Sequence, residues 1–597
     1  PNRSIIVYID GIENRRIPAD GFNASAFSFR SFWGAADVTI DDLTVNDEAS
    51  SLHPAVVQAV SVGDGKDVKL LAGQPLKLDL SIDPKGASAK SGLLKIELFD
   101  LQEKLVSKTE KKLDWNEFKG SKLSVELPAP PASKHYWVLA SYRDEGAELD
   151  SSCTIEKIDV QFLSDPKVLG FRGRFGFQTP WDWIPADRKT MDSVPLKWDA
   201  PTKFSDFWFN GWDRRFKDVT AGWYRRKLEI PADWAGRRIL LSIEQPSNVA
   251  KAFINGVTVG EVAWPGGELD ITGKVKPGAK AELVILVDSE VPGEIGKAAE
   301  EALKKGAKLP DWYGKNSARG LGGGVELLSE PMGARIDSVM IAPRVPAMIL
   351  NLDFQTLGLA KGSSYSVEGT VSKAGKILKT FKSENFKADA DKRPVSVSIP
   401  WPDAEIWDIG KPNLYDLDAR LVSGGKTVDA ILPERFGFRE VTFDGRLVKI
   451  NGNPVNFVTP MPTETQGNFG FAKCLERCNL NYMSSGHHNF YHKEGENSIT
   501  LAKDQFDVCD EAGFGSDLGV SDISLRKFLV NYNVANGGNF LEDKFYWPAL
   551  EKVVRRAIKR YGNRPSIFFL LGGGNGGQLE MGNVLNPAKM DGIWLKS

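Results

Sequence analysis

The feature that most constrains the fold is a change in the spacing of apolar residues near Gly437. Before this point, short runs such as LKLDLSI and KLSVELP alternate apolar and polar residues between Gly, Pro and Asn turns, which is typical of antiparallel strands. After it, apolar residues also recur at helical spacing, as at Phe506, Cys509 and Ala512. The sequence therefore predicts a mostly β, multidomain chain that ends in an α/β module.

Length and charge narrow the classes of function. A chain of 597 residues is too long to fold around one hydrophobic core, so roughly four or five domains are expected. A formal net charge of -2 provides no field to hold nucleic acid, and no apolar run approaches the roughly 20 residues of a membrane span. Neither nucleic acid nor a membrane is an expected partner.

The cysteines are too few for a disulfide scaffold and lack the spacing of a zinc site, so free thiols are expected, with no metal and no other cofactor. They are Cys153, Cys474, Cys478 and Cys509. The N-terminus has no signal-peptide pattern and reads as a strand entering a turn, which indicates that the chain begins inside a domain.

Turn spacing divides the chain into five predicted modules. The first resembles the C-terminal part of a concanavalin-like jelly roll, and regularly spaced short strands favour an immunoglobulin-like sandwich for the second. The predicted ranges are 1–48 and 49–162 for these two, 163–344 for a longer jelly roll, 345–436 for a second immunoglobulin-like sandwich, and 437–597 for the α/β module.

Several motifs of the later modules resemble family 2 of the glycoside hydrolases, which includes β-galactosidases, β-glucuronidases and β-mannosidases. The jelly roll carries a Trp-Tyr-Arg-Arg strand from Trp223, and the second sandwich carries a Trp-x-x-Gly-x-Pro-x-Leu-Tyr segment from Trp407. The run Arg435-Phe436-Gly437-Phe438-Arg439-Glu440 resembles the junction before the family's barrel. By itself, Asn255-Gly256 predicts a type I′ hairpin turn.

The resemblance implies that 437–597 forms the first half of a (β/α)₈ barrel. Short apolar runs such as LNYMSS and SIFFLLG alternate with helical patterns, one of which has Gly562 as a predicted C-cap. A complete barrel needs about 250 residues, so the barrel is expected to be truncated and the chain to be incomplete at both ends.

The stretch Asn563-Arg564-Pro565-Ser566 and the strand after it resemble the family segment that delivers a catalytic Asn-Glu pair. Here Gly574 and Asn575 occupy those positions. A retaining glycosidase needs two carboxyl groups about 5 Å apart, and an amide cannot transfer the proton. Glu580 is the nearest substitute, with an exposed loop glutamate as the alternative. The resemblance places the family's nucleophile beyond Ser597, outside this chain.

Further candidates for sugar binding follow the second barrel strand and lie in the jelly roll. The resemblance assigns His487 to the sugar pocket, with His488 and Asn489 beside it. Metal binding and a polar loop without a ligand are the alternatives for this cluster. Trp181 and Asp182 are candidates from a jelly-roll loop, where a buried or edge position is the more common role of an aromatic residue.

Together these features predict a glycoside hydrolase of family 2 type that cleaves β-linked carbohydrates by retention in the complete protein. One alternative is an inactive carbohydrate-binding or scaffolding protein in which Asn575 replaces the acid/base. Another is that the chain is a fragment whose missing residues carry the chemistry. The expected partner is a carbohydrate substrate or ligand, a homo-oligomer stays open, and the resemblance implies a secreted, periplasmic or cell-surface location.

Overall fold

The computed structural model describes part of the chain, and the first element in it is a hairpin. Strands β1 (Ser4–Ile9) and β2 (Ile12–Pro18) pair antiparallel. The jelly-roll assignment of 1–48 stays a prediction.

The described residues are 4–9, 12–18, 56–61, 67–71, 73–118, 120–147, 150, 152–163, 165–177, 181–198, 202–204, 208–210, 219–244, 246–247, 249–263, 266–289, 318–321, 324–445, 447–458, 476–477, 479–483, 501–519 and 546–571.

The first sandwich encloses one apolar core between a five-stranded sheet, in the order β4-β10-β9-β6-β7, and a three-stranded sheet, β3-β5-β8. Alternation along β5 buries Leu76, Leu78 and Leu80 and leaves the residues between them more exposed, as a half-buried strand requires. The strands are β3 (Val57–Ser61), β4 (Asp67–Leu70), β5 (Leu76–Ile82), β6 (Ser91–Asp100), β7 (Leu105–Asp114), β8 (Lys122–Leu127), β9 (Lys134–Asp144) and β10 (Ser152–Phe162), with a 3₁₀ turn at Pro84–Gly86.

The module predicted to be a jelly roll, called the jelly roll below, is built from sheets of four, six and three strands, and the first two share a large apolar core. Both Asn255 and Gly256 have positive φ, 49° and 79°, so the predicted hairpin turn is confirmed. The strands are β11 (Gly173–Gly176), β12 (Trp181–Pro185), β13 (Thr202–Phe204), β14 (Trp208–Asn210), β15 (Ala221–Glu229), β16 (Arg237–Glu244), β17 (Pro246–Ser247), β18 (Val249–Ile254), β19 (Val257–Ala263), β20 (Gly266–Asp270), β21 (Lys280–Asp288), β22 (Ala318–Leu321) and β23 (Val325–Pro331), with 3₁₀ turns at Pro166–Gly170 and Ala232–Trp234.

The second sandwich begins earlier than predicted. Strand β24 (Arg335–Arg344), assigned by sequence to the jelly roll, pairs with β25 in the sheet β24-β25-β29, so the boundary lies after Pro331 and not at residue 344. The facing sheet runs β27-β26-β30-β31, with β28 on β26 and β32 on β30. The other strands are β25 (Ile349–Leu357), β26 (Ser364–Lys373), β27 (Lys376–Lys382), β28 (Phe386–Lys387), β29 (Arg393–Pro400), β30 (Leu414–Ser423), β31 (Lys426–Ala430) and β32 (Glu434–Gly437).

The last module combines a small antiparallel sheet with a parallel one. The first consists of β33 (Val441–Asp444), β34 (Leu447–Ile450) and β35 (Asn453–Pro454). The second has the order β36-β37-β38, and helices α1 and α2 alternate with its strands along the chain. The bounds are β36 (Tyr482–Met483), α1 (Leu501–Ala512), β37 (Gly515–Gly519), α2 (Tyr546–Tyr561) and β38 (Ile567–Leu571). The mostly β architecture is confirmed, and the half barrel stays a prediction.

The two helices end differently. Gly513, just after α1, has a φ of 76°, and Gly513 N–H donates to Cys509 O over 3.0 Å, as in a left-handed C-cap. Gly562 follows α2 directly, as predicted for a C-cap, and Gly562 N–H donates to Ile558 O over 2.7 Å, but its φ is not positive. A Cβ at Gly562 would lie 2.6 Å from Ile558 O, so close backbone approach, not handedness, requires the glycine. Cys509 is buried and forms no disulfide.

Candidate active-site face

The three parallel strands direct their C-terminal ends to the same edge of one sheet. Since β37 lies between them, the ends of β36 and β38 are roughly 10 Å apart. His487, His488 and Asn489 follow the end of β36 in sequence, and Asn575 and Glu580 follow the end of β38. All five lie outside the described residues, so their roles stay predictions, although both segments start from this edge.

Within the sheet, a buried polar pair links the first two strands. The hydroxyl of Tyr482 on β36 donates to Oδ2 of Asp517 on β37 over 2.7 Å. Burial and the adjacent carboxylate raise the pKa of Tyr482 above its usual range, so the phenol keeps its proton. Asp517, which is 1 % exposed, is the only acidic residue in the three strands. The sequence predicts no role for Asp517.

Arg439 fixes the start of β38. Its guanidinium donates to three backbone carbonyls, Pro565 O at 2.7 Å, Arg564 O at 3.2 Å and Ile567 O at 2.6 Å. Burial lowers the pKa of Arg439 to about 10, which leaves the side chain charged at neutral pH. A Cβ at Gly437 would lie 2.7 Å from Pro565 Cβ, so glycine is required where the two segments meet. The junction motif therefore clamps the strand that leads toward Asn575.

Asn563 joins the same segment to the second sandwich. Its carbonyl oxygen accepts from Ile341 N at 2.9 Å, and its amide donates to Val339 O at 2.9 Å and to Glu434 Oε1 at 3.1 Å. These three hydrogen bonds use both the oxygen and the nitrogen of the Asn563 side-chain amide. The Asn563–Ser566 motif is thus a docking element, which its sequence alone does not reveal.

Asp510 on α1 completes the clamp from the other side. One carboxylate oxygen accepts from Ser566 N at 3.0 Å and the other from Arg564 Nη1 at 2.9 Å. The main-chain oxygen of Asp510 accepts from Trp407 Nε1 at 2.8 Å, which ties the predicted Trp407 motif to the same place. Burial raises the pKa of Asp510, and Arg564 and Ser566 oppose that rise. Helix, sandwich and strand therefore share one fixed junction below the predicted catalytic loops.

The two jelly-roll candidates, Trp181 and Asp182, differ in how far they are buried. Trp181 is 0 % exposed, and its ring packs edge-on against Phe177 and Tyr224 at centroid distances of 5.9 and 6.3 Å. An enclosed indole cannot stack on a sugar, so this packing favours the core-filling alternative. Asp182 on the same strand accepts from Arg225 Nη2 at 3.1 Å and is partly exposed. A sugar contact by Asp182 stays a prediction.

The described part of the chain holds neither a candidate metal site nor a helix long and apolar enough to span a membrane. No group of three or more His, Cys, Asp or Glu residues there is arranged to hold a metal ion. No helix within the described ranges has the length and hydropathy to span a bilayer.

Residues 334–439 match the family model described as glycosyl hydrolases family 2. Among solved structures, the Bifidobacterium dentium β-glucuronidase complexed with coumarin-3-O-glucuronide is 18 % identical, with 67 % of each chain covered and a TM-score of 0.50. A Ruminococcus gnavus β-glucuronidase is 17 % identical, covers 67 % of this chain and 66 % of its own, and has a TM-score of 0.49. No curated protein matches the chain. The predicted resemblance to family 2 of the glycosyl hydrolases is therefore confirmed, and the part of the chain that matches the family model is residues 334–439.

Proposed function

We propose that the complete protein hydrolyses β-glycosidic bonds and retains the configuration at the anomeric carbon. The observation that carries this proposal is the clamp of Arg439 on the Asn563–Ser566 segment. It joins the family 2 domain to the strand whose end leads toward Asn575, the position at which the resemblance expects the acid/base. Enzymes of this class need such rigid positioning of the acid/base, because small displacements of a proton donor cost large factors in rate.

In this proposal Glu580 donates the proton. Asn575 stands where the family has its acid/base glutamate, and an amide does not exchange a proton at the leaving oxygen. Glu580 lies five residues further along a glycine-rich stretch, GGQLE, and carries the nearest carboxyl group in sequence. The nucleophilic carboxylate lies after Ser597 in this proposal. Asn575 then contributes a hydrogen bond to a sugar hydroxyl.

The substrate class we propose is a β-linked glycoside. A β-glucuronide is the first to test, because the Bifidobacterium dentium protein is described in complex with one. The likeness to that protein supports a shared fold, so galactosides and mannosides belong in the same panel.

The test compares leaving groups in the complete protein and in a Glu580→Gln variant. Proton donation matters for a poor leaving group such as an alkyl alcohol and matters little for dinitrophenol. We expect the variant to lose about 10²–10⁴ in kcat/KM on alkyl β-glycosides and far less on dinitrophenyl β-glycosides. Glu551→Gln, which changes a glutamate on α2 whose side chain is 56 % exposed, is the matched control and should leave both rates unchanged.

Two results would separate the alternatives. Equal losses on both leaving groups would remove Glu580 from the role of proton donor but leave hydrolysis standing. Release of no leaving group from any glycoside in the panel would overturn the proposal and favour the carbohydrate-binding protein, which glycan binding without turnover would then identify.

A further inference from the structure

Helix α1 docks on the first sandwich through an apolar and an ionic part. In the apolar part, Leu101 of the sandwich packs in one buried cluster with Val508, Cys509 and Phe514 on and after the helix. In the ionic part, acidic side chains of α1 meet a histidine of the sandwich. We call this ionic part the His135 cluster, and its members are His135, Lys157, Asp159, Arg435, Asp507 and Glu511.

The imidazole of His135 faces a carboxylate on each side. Nδ1 lies 2.7 Å from Glu511 Oε1, and Nε2 lies 3.1 Å from Asp507 Oδ2 and 3.8 Å from Asp159 Oδ1. Both ionised carboxylates can only accept a hydrogen bond, whereas a neutral imidazole carries a single N–H. The imidazolium donates to both carboxylates, whereas the neutral ring sets a lone pair against one of them. Arg435 Nη1 also lies near Nδ1, but at 3.4 Å it is farther away than Glu511 Oε1.

The charges of the cluster balance only with that imidazolium. Arg435 pairs with Asp159 at 3.1 Å and with Glu511 at 3.0 Å, and Lys157 pairs with Asp507 at 3.2 Å. Arg564 lies 2.7 Å from Asp507 and 2.9 Å from Asp510, so it adds one cation and one acid to this count. Four acids therefore face three permanent cations, and a protonated His135 supplies the fourth positive charge. Loss of that proton would leave an uncompensated negative charge in a contact where the imidazole is 10 % exposed.

We propose that the docking of the first sandwich on α1 is a pH-responsive contact, closed while His135 is doubly protonated and weakened when it becomes neutral. The proton on the imidazole then links His135 to Glu511, which is 376 residues away in sequence. The inference does not depend on the proposed hydrolysis, since it concerns how the module that carries β37 is held by a domain outside the matched 334–439 segment.

The direction of the pH dependence follows from the surroundings of His135. Burial acts to lower its pKa, but Asp507, Asp159 and Glu511 outweigh burial and raise it. A group whose pKa is raised on docking stabilises the contact fully below its undocked pKa of about 6.5 and loses that effect as pH rises through the docked pKa. The contact therefore weakens on the alkaline side.

Among the other titratable groups around the imidazole, Asp416 titrates at the acid edge of the pH range, because burial raises its pKa to about 6. Burial also raises the pKa of Tyr136 and of Cys509, so both keep their protons near neutral pH. The groups that face the His135 cluster from the elements packed against it are Lys69 on β4, Tyr136 on β9, Asp416 on β30, Cys509 and Asp510 on α1, and Arg564 after α2.

The experiment is hydrogen exchange of the whole protein, read by mass spectrometry at pH values from about 6 to about 9 and corrected for the intrinsic rate. For one linked proton, the opening constant of the contact rises up to about tenfold per pH unit above the undocked pKa. We expect peptides within Leu501–Ala512 and Lys134–Asp144 to lose protection accordingly. Peptides within β25 and β26 of the second sandwich should not change.

Two variants test the assignment to His135. His135→Gln should give an opening constant that is high already at pH 6 and independent of pH in this window. Glu511→Gln keeps the imidazole but removes one charge that favours protonation, so the rise should level off at a lower pH. Lys112→Gln, which breaks an exposed pair with Glu145 in the same sandwich, should reproduce the wild-type profile.

A flat wild-type profile across this range would overturn the proposal. So would a Glu511→Gln profile that coincides with the wild-type one, because the carboxylate would then not support the imidazolium. If His135→Gln does not fold, the wild-type and Glu511→Gln profiles decide the matter alone.

Discussion

Helices α1 and α2 are both held by ion pairs to a β-domain, but with different cations. Helix α1 brings acids, Asp507 and Glu511, to a histidine of the first sandwich. Helix α2 brings arginines, Arg556 and Arg560, to glutamates of the jelly roll. The distances are 2.7 Å for Arg556 to Glu268, 3.5 Å for Arg556 to Glu244, 3.4 Å for Arg560 to Glu244 and 3.3 Å for Arg560 to Glu326.

The charges at α2 balance at every physiological pH. With Arg174, which pairs with Glu326 at 2.7 Å, three arginines face three glutamates. Arginine stays protonated in proteins, so this contact does not respond to pH near neutrality. At α1 one of the cations is a histidine, whose charge changes in that range. The α2 contact is therefore independent of pH near neutrality, whereas the α1 contact depends on pH.

The largest expected effect comes from removing the cation shared at α1. Arg435→Met leaves Asp159 and Glu511 with His135 as their shared partner, and His135 loses its charge as pH rises, so the buried contact should lose about 3–5 kcal/mol above neutral pH. Arg560→Met at α2 should cost less, because Glu244 keeps Arg556 and Glu326 keeps Arg174. The measurement is the free energy of opening of each helix from native-state hydrogen exchange. Equal losses at the two helices would contradict the comparison.

The apolar part of the α1 contact gives the next effect. Leu101→Ala removes a side chain that is 3 % exposed and packs on Val508 and Phe514, and should lower the free energy of opening of α1 by about 2–4 kcal/mol at any pH. Leu105→Ala, at a position 45 % exposed in the same sandwich, is the matched control and should cost less than about 0.5 kcal/mol. A Leu101→Ala loss that varied with pH would show that the two parts of the contact are not independent.

Asp416 offers a change that stabilises. It lies opposite Arg435 across β30 and β32, and burial raises its pKa to about 6, so holding it ionised costs stability above that pH. Because the folded-state pKa is raised, wild-type stability falls as pH rises from about 4 to about 6. Asp416→Asn should add about 1–3 kcal/mol at pH 7.5 and nothing at pH 4. Calorimetric melting at the two pH values checks this, and an equal gain at both would refute the assignment.

The sequence predicts the strands well because the alternation that buries Leu76, Leu78 and Leu80 is a local signal. It also predicts the buried positions Phe506, Cys509 and Ala512 of α1, since helical spacing is equally local. The jelly-roll boundary at residue 344 is wrong because β24 alternates like any strand, and only its partner reveals its domain. Pairing between distant strands leaves no trace in local spacing.

The same limit applies to the junction below the candidate site. The motifs around Arg435 and Asn563 are recognisable one by one, but their mutual contact is not, because 125 or more residues separate Arg439 from the carbonyls that it binds. His135 carries no motif at all, and it is separated from Glu511 by 376 residues. From the sequence alone, a single histidine in a strand is interpreted as a core residue, because the carboxylates that face it lie far away along the chain.

The smallest expected effect lies at the edge of the α2 contact. Lys559 pairs with Asp337 of β24 at 3.0 Å, but the two side chains are 42 % and 37 % exposed, so water already screens the pair. Lys559→Gln should lower the free energy of opening of α2 by no more than about 1 kcal/mol. That loss should largely disappear in about 1 M salt, where the Debye length falls to about 3 Å. Arg556→Gln, at a side chain 18 % exposed, should keep most of its cost in the same salt, and a cost that vanished there too would mean that α2 is held by surface charge and not by the buried pairs with Glu244 and Glu268.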